Sequence, residues 1–249
     1  MGIIRMIIVL LAVVIFLIVG IFVMLYQDLF LRGDRKKKDD LSMRFVRFGF
    51  RMVWFLSGCK AEIIGAENIP EDRAVLYIAN HNSIFDIVLF GANVRSLTGI
   101  IAKVSLEKVP LLATWMRRIY CLFLDRSDVR KGLEVVLKAI EEIKEGISIL
   151  IFPEGTRNHE PGQLQEFHAG SFKIATKAGA PIVPVTIIGT REIFEAHFPA
   201  IRPAKATIIY GEPIETAGMS RQDQKELPER VRSLIQDTYN AHVSKENKA

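Results

Sequence analysis

"YIANHNSIFDIVLF", Tyr77–Phe90, sets two apolar runs on either side of a short polar turn and puts His81 and Asp86 five residues apart. The run before the turn, extended upstream to "RAVLYIA" (73–79), reads as a strand, and "IFDIVLFGANV" (84–94) reads as a helix. Ser83 can cap that helix, with Asp86 three residues on in a capping-box pattern that has aspartate in place of glutamate. Five residues along a regular helix leave two side chains on different faces. A histidine placed ahead of the helix can instead fold back over its first turn. Asp86 would then accept from one ring nitrogen and leave the other as a base. The stretch therefore reads either as a helix start or as a base with its orienting acid.

Outward from this unit the alternation continues. Strands are expected at 61–65, 98–104, 119–124, 147–152, 181–188 and 205–211, and helices at 107–118, 128–146, 169–179 and 221–243. Strands alternating with helices imply an α/β domain with a largely parallel sheet covered by helices. The tail "SKENKA" is polar and is expected to fray. There is no internal repeat.

The N-terminal segment is of another kind. Hydrophobic residues make up 49% of the 249 and mean hydropathy is +0.22, with the excess at this end. Met6–Tyr26 carries no charge and is long enough to cross a bilayer core of about 30 Å. No small-residue cleavage motif follows it, so it reads as a retained anchor rather than a signal peptide. Arg32, Arg35, Lys36, Lys37 and Lys38 follow it, against Arg5 before it, which places the rest of the chain in the cytoplasm if the helix spans. In 41–58, Arg44, Arg47 and Arg51 recur along one helical face over an aromatic body, as suits an interfacial helix. The expected division is a membrane-anchoring helical segment over 1–58 (apolar helix 6–26, basic linker 32–40, interfacial helix 41–58) and a catalytic domain over 59–249.

Net charge is +5 with a pI near 9.2, but no nucleic-acid motif is present and the basic residues gather by the anchor. Anionic lipid is the better partner. Cys59 and Cys121 have no metal-ligand spacing and read as small core residues in a reducing compartment. Neither a metal nor a bound cofactor is indicated.

In a parallel sheet the working residues collect at the carboxyl ends of the strands. His81 stands at one such end. Asp125 and Arg126 stand at another, where a surface turn would by itself explain the pair. "FPEGTRN" (152–158) stands at a third. There Gly155 lets backbone approach a ligand, Thr156 offers a hydroxyl and Arg157 can bind a phosphate bidentately. Lys103, near the end of 98–104, adds a cation.

Together these segments resemble the glycerolipid acyltransferase family, in its bacterial 1-acylglycerol-3-phosphate branch. Asn80, His81 and Asp86 match its N-H-x4-D motif, and Phe123 with Arg126 match its second block. Phe152–Arg157 matches F-P-E-G-T-R, and Val183, Pro184 and Val185 match a V-P-V strand. Two positions depart from the pattern: Tyr120 where the second block often has glycine, and His168 where F-K-x-G commonly has lysine. The resemblance implies acyl transfer from acyl-CoA or acyl-carrier protein to lysophosphatidic acid at the cytoplasmic side of the cell membrane. His81 would be the general base oriented by Asp86. Arg126, Glu154, Gly155, Thr156, Arg157 and Lys103 would serve the acceptor phosphate, with Glu154 more suited to positioning the arginines or a glycerol hydroxyl. No acyl-enzyme is needed, because the thioester is already activated. The rival readings are another acceptor on the same fold, a membrane-bound thioesterase, and a non-catalytic protein that binds anionic lipid.

Overall fold

The structure, a computed structural model, describes residues 1–158, 160 and 162–246. Its elements follow in chain order as α1 (Gly2–Phe30), α2 (Arg35–Ser57), β1 (Lys60–Ile64), β2 (Leu76–Ala79), α3 (Ile84–Asn93), β3 (Thr98–Lys103), α4 (Pro110–Arg118), β4 (Leu122–Leu124), α5 (Val129–Lys144), β5 (Ser148–Ile151), α6 (Lys173–Ala178), β6 (Ile182–Ile188), β7 (Lys205–Tyr210) and α7 (Arg221–Glu246). The seven strands form one sheet in the order β1-β7-β6-β2-β5-β3-β4. All neighbours are parallel except β6 and β7. The α/β class and the largely parallel sheet are as expected. β2, β5 and β6 are buried at every position, as strands covered on both faces must be, which explains why they read as continuous apolar runs. One apolar core joins α1, α2 and α3 to the sheet, and a second joins α5, α6 and α7 to its other face.

Local chemistry sets the boundaries, and several differ from expectation. Asp34 accepts from the Lys37 N–H at 3.0 Å, so α2 starts at Arg35 and most of the expected linker 32–40 is helix. The expected helix 107–118 divides into a 3₁₀ turn (Val104–Lys108) and α4, because Pro110 favours a fresh N-terminus. The expected strand 119–124 is confined to Leu122–Leu124 by a turn in which Tyr120 sits at φ 60. That conformation favours glycine, which accounts for the glycine pattern from which Tyr120 departs. The tyrosine hydroxyl makes bonds a glycine lacks: it donates to Asp39 Oδ2 at 2.9 Å and accepts from Arg35 Nε at 3.0 Å, tying this turn to α2. Of the tail expected to fray, Ser244–Glu246 are helical and 247–249 lie outside the described residues.

The N-terminal helices are not a free-standing stalk. The 29 residues of α1 run about 43 Å at 1.5 Å each, and the helix is held to the domain at both ends. The Ile201 N–H donates to the Gly2 carbonyl at 3.2 Å. At the other end Arg118 reaches Gln27 at 2.8 Å and Asp28 at 2.7 Å. Between them Phe16 stacks on Phe45 and Phe45 on Trp115, with centroids 4.2 and 4.5 Å apart. The outer face stays apolar and exposed, from Ile4 and Leu11 to Phe22 and Leu29. Only 11% of the most apolar window is buried.

Two of the three stripe arginines bond the protein itself. Arg47 Nη2 donates to the Arg95 carbonyl at 2.7 Å and Arg51 Nε to the Ala92 carbonyl at 3.0 Å. Both fill carbonyls at the C-terminal end of α3, where cations are favoured. Arg44 remains outside, paired with Asp40. Phe48 and Phe55 are exposed on α2 alongside Arg44 and Arg51.

Candidate active site

Four adjacent parallel strands, β2, β5, β3 and β4, end on one edge of the sheet, and every expected site residue lies on that edge. His81 follows β2, the loop 152–158 follows β5, Lys103 is the last residue of β3, and Arg126 follows β4.

The turn after β2 is closed by hydrogen bonds. Ser83 Oγ accepts from the Phe85 N–H at 2.9 Å and Asp86 Oδ2 from the Ser83 N–H at 2.8 Å, which is the expected capping box. The same Asp86 oxygen accepts from the Asn82 N–H and from His81 Nδ1, each at 2.7 Å. Its other oxygen accepts from Thr190 Oγ1 at 2.5 Å. Asp86 is 0% exposed, and the two backbone N–H groups on its Oδ2 set that oxygen as an acceptor. An acceptor oxygen at this distance from Nδ1 favours the proton on that nitrogen. The ring stacks on Phe152 at 4.1 Å, and Nε2 has no hydrogen-bond partner among the described residues. The cap and the His81–Asp86 contact coexist in one turn.

The loop after β5 is locked onto that turn. The His81 N–H donates to Glu154 Oε1 at 2.8 Å and the Gln165 N–H to Glu154 Oε2 at 3.0 Å. The Asn158 N–H donates to the His81 carbonyl at 2.6 Å. Glu154 is 4% exposed, and burial pushes its carboxyl above the usual range against the lowering effect of the two N–H groups. Both oxygens hold backbone N–H groups, so Glu154 ties the loop after β5 to the His81 turn.

Gly155 forms a floor at φ 78. A Cβ added there would lie 3.1 Å from His168 Nε2 and 3.6 Å from Arg126 Nη1, so any side chain would fill the space between them. Arg126 is exposed as a residue, yet its guanidinium lies close enough to this floor for burial to lower its pKa. The side chains of Arg126 and His168 form no hydrogen bond or ion pair among the described residues. Thr156 and Arg157 are exposed at the rim. Lys103 is exposed too, in register with Leu124 at the foot of the Arg126 turn. Arg157 does not stand free: Nη1 donates to Glu195 Oε1 at 2.9 Å.

Cys121 is buried and its thiol is pushed up to about 12 by that burial, as befits a core residue, while Cys59 is half-buried. Among the described residues no group of three or more histidine, cysteine, aspartate or glutamate side chains is placed to hold a metal ion.

Thr190 and Glu195 were not legible as site residues. They reach Asp86 and the α3 N-terminus from 104 and 111 residues away, and no local spacing announces them. Asn80 matched a motif without a role. Its side chain exchanges hydrogen bonds of 2.8 and 2.7 Å with the carbonyl and N–H of Ile187, stitching the end of β2 to β6.

The acyltransferase family model matches residues 60–188. A 1-acyl-sn-glycerol-3-phosphate acyltransferase from Borreliella burgdorferi is 31% identical over 196 residues, covering 78% of this chain and 78% of that relative. A probable 1-acyl-sn-glycerol-3-phosphate acyltransferase from Mycoplasma pneumoniae is 30% identical over 196 residues, covering 74% of this chain and 73% of the relative. The crystal structure of the 1-acyl-sn-glycerophosphate (LPA) acyltransferase PlsC from Thermotoga maritima matches with a TM-score of 0.84 at 26% identity, over 96% of this chain and 95% of that one.

Proposed function

The chain belongs to the acyltransferase family, and from that premise we propose that it moves a fatty acyl chain from a thioester to the free hydroxyl of 1-acylglycerol 3-phosphate, giving phosphatidic acid. The observation that carries this reading is the enclosed Asp86 carboxylate beside His81, at an edge that also carries Arg126, Arg157 and Lys103.

In this mechanism His81 Nε2 takes the proton of the acceptor hydroxyl as its oxygen attacks the thioester carbonyl. Asp86 keeps the tautomer and stabilises the imidazolium. The tetrahedral intermediate then collapses, the C–S bond breaks, and the imidazolium returns its proton to the departing thiolate. Arg126 and Arg157 hold the acceptor phosphate over Gly155 and Thr156, and Lys103 adds charge at the rim. The donor is acyl-CoA or acyl-carrier protein.

Residues 1–58 serve as the membrane anchor and 59–249 as the catalytic domain. A helix tied to the domain at both ends cannot cross a bilayer without drawing the domain in with it. α1 therefore lies in the plane of one leaflet of the cell membrane, its exposed face among the acyl chains and the domain on the cytoplasmic side. This arrangement brings a lipid acceptor to the site without leaving the membrane.

The test is purified protein in detergent or vesicles, offered lysophosphatidic acid, glycerol 3-phosphate and other lysophospholipids with each donor type, and products read by mass spectrometry. Phosphatidic acid from lysophosphatidic acid is expected. Free fatty acid in place of ester would mark a thioesterase, and no product with either donor would mark a lipid-binding protein.

A further inference from the structure

Glu195 lies in the 3₁₀ turn Glu195–His197, beyond β6, in a segment to which no motif assigns a role. Its Oε1 accepts from two donors at once: the Ile84 N–H that opens α3, at 2.9 Å, and Arg157 Nη1, also at 2.9 Å. One oxygen thus joins the helix that carries Asp86 to the arginine of the loop after β5. The carboxylate side chain is 12% exposed against 47% for Arg157, so the acid is the fixed member and the arginine the one it holds. Its turn packs with α3 as well, since the neighbouring Phe194 ring lies 6.4 Å from that of Phe85.

We infer that Glu195 is a positioning residue, one that sets Arg157 at a defined reach from His81 so that a bound phosphate places its hydroxyl at the base; this rests on the acyl-transfer reading above. A guanidinium has five N–H donors in a rigid fork. With Nη1 on Glu195, the remaining donors stay available for a bidentate phosphate contact. Unheld, an exposed arginine spreads over many rotamers and defines no such distance. The second oxygen, Oε2, is buried and takes no hydrogen bond among the described residues. The carboxylate therefore depends on Arg157 for its charge balance, and removing only the arginine leaves a buried anion uncompensated.

This dependence gives the test a sign. Glu195→Gln, Arg157→Ala and the double variant are assayed for KM and kcat with lysophosphatidic acid and with the thioester. Glu195→Gln should raise the KM for lysophosphatidic acid about tenfold, with the thioester KM unmoved. Arg157→Ala should raise it further. The double variant should be no worse than Arg157→Ala alone, because the neutral amide relieves the stranded charge. Glu195→Asp, which keeps the charge, provides a second variant for the same assay and should fall between wild type and Glu195→Gln. Effects that simply multiply in the double variant, or an equal rise in KM for a phosphate-free monoacylglycerol, would overturn the assignment. Wild-type protein that forms no phosphatidic acid sinks the acyl-transfer reading and this inference with it. Normal wild-type turnover with independent substitutions sinks this inference alone.

Discussion

Asp86 at the start of α3 and Glu142 near the end of α5 are both carboxyl groups withdrawn from water, at 0% and 4% exposure, yet their surroundings differ in kind. Asp86 is met by two backbone N–H groups, a threonine hydroxyl and an imidazole. Glu142 has an Oε2 with no hydrogen bond among the described residues, and burial pushes its carboxyl up to about 7, with Lys138 opposing the shift. Burial by itself therefore marks no active site. Donors arranged around a buried acid hold it as an acceptor, and where they are missing the same burial favours the neutral form.

The sharpest way to break this contrast is to remove what Asp86 supports. His81→Ala should leave a folded, membrane-bound protein whose acyl transfer falls by roughly 10³- to 10⁴-fold, measured as phosphatidic acid formed per minute. Asp86→Asn should lose nearly as much, because a neutral amide no longer stabilises the imidazolium that forms on His81. Turnover within a few-fold of wild type in either variant would end the base assignment.

A smaller effect is expected at the rim, where Arg126 lies beside Gly155. Arg126→Ala should raise the KM for lysophosphatidic acid by about ten- to a hundredfold with little change in kcat, since a charge-assisted contact to phosphate is lost. A change confined to the thioester KM would move Arg126 to the donor side of the site.

The smallest effect belongs to Glu142 and concerns stability rather than rate. Its folded-state pKa of about 7 lies above the ordinary 4.5, so the protonated form stabilises the fold below about 4.5 and that contribution is lost as pH rises through 7. Glu142→Gln is neutral throughout. It should match wild type in thermal unfolding near pH 4 and exceed it by about 1–3 kcal/mol at pH 8. Equal melting curves at both pH values would mean that the carboxyl finds a partner and that the contrast with Asp86 is false.

Sequence alone reached the features made within a few residues. The strand-to-helix turn at 79–84, the Ser83 cap and the fold-back of His81 onto Asp86 rest on neighbours, and capping chemistry dictates them. The alternation of elements and the apolar α1 are equally local, because periodicity and length are properties of short windows. The direction of the Arg47 and Arg51 side chains, the enclosure of Glu154 and the contributions of Thr190 and Glu195 were decided only by the tertiary structure. Each depends on which elements become neighbours: β6 beside β2 brings Thr190 to Asp86, β5 beside β2 brings Glu154 to His81, and α2 across α3 brings Arg51 to the Ala92 carbonyl. Hydrophobic periodicity says that a strand is covered on both faces, but not which strands flank it. The His81–Asp86 contact was therefore legible in its own turn, while the shell that holds it in place was not.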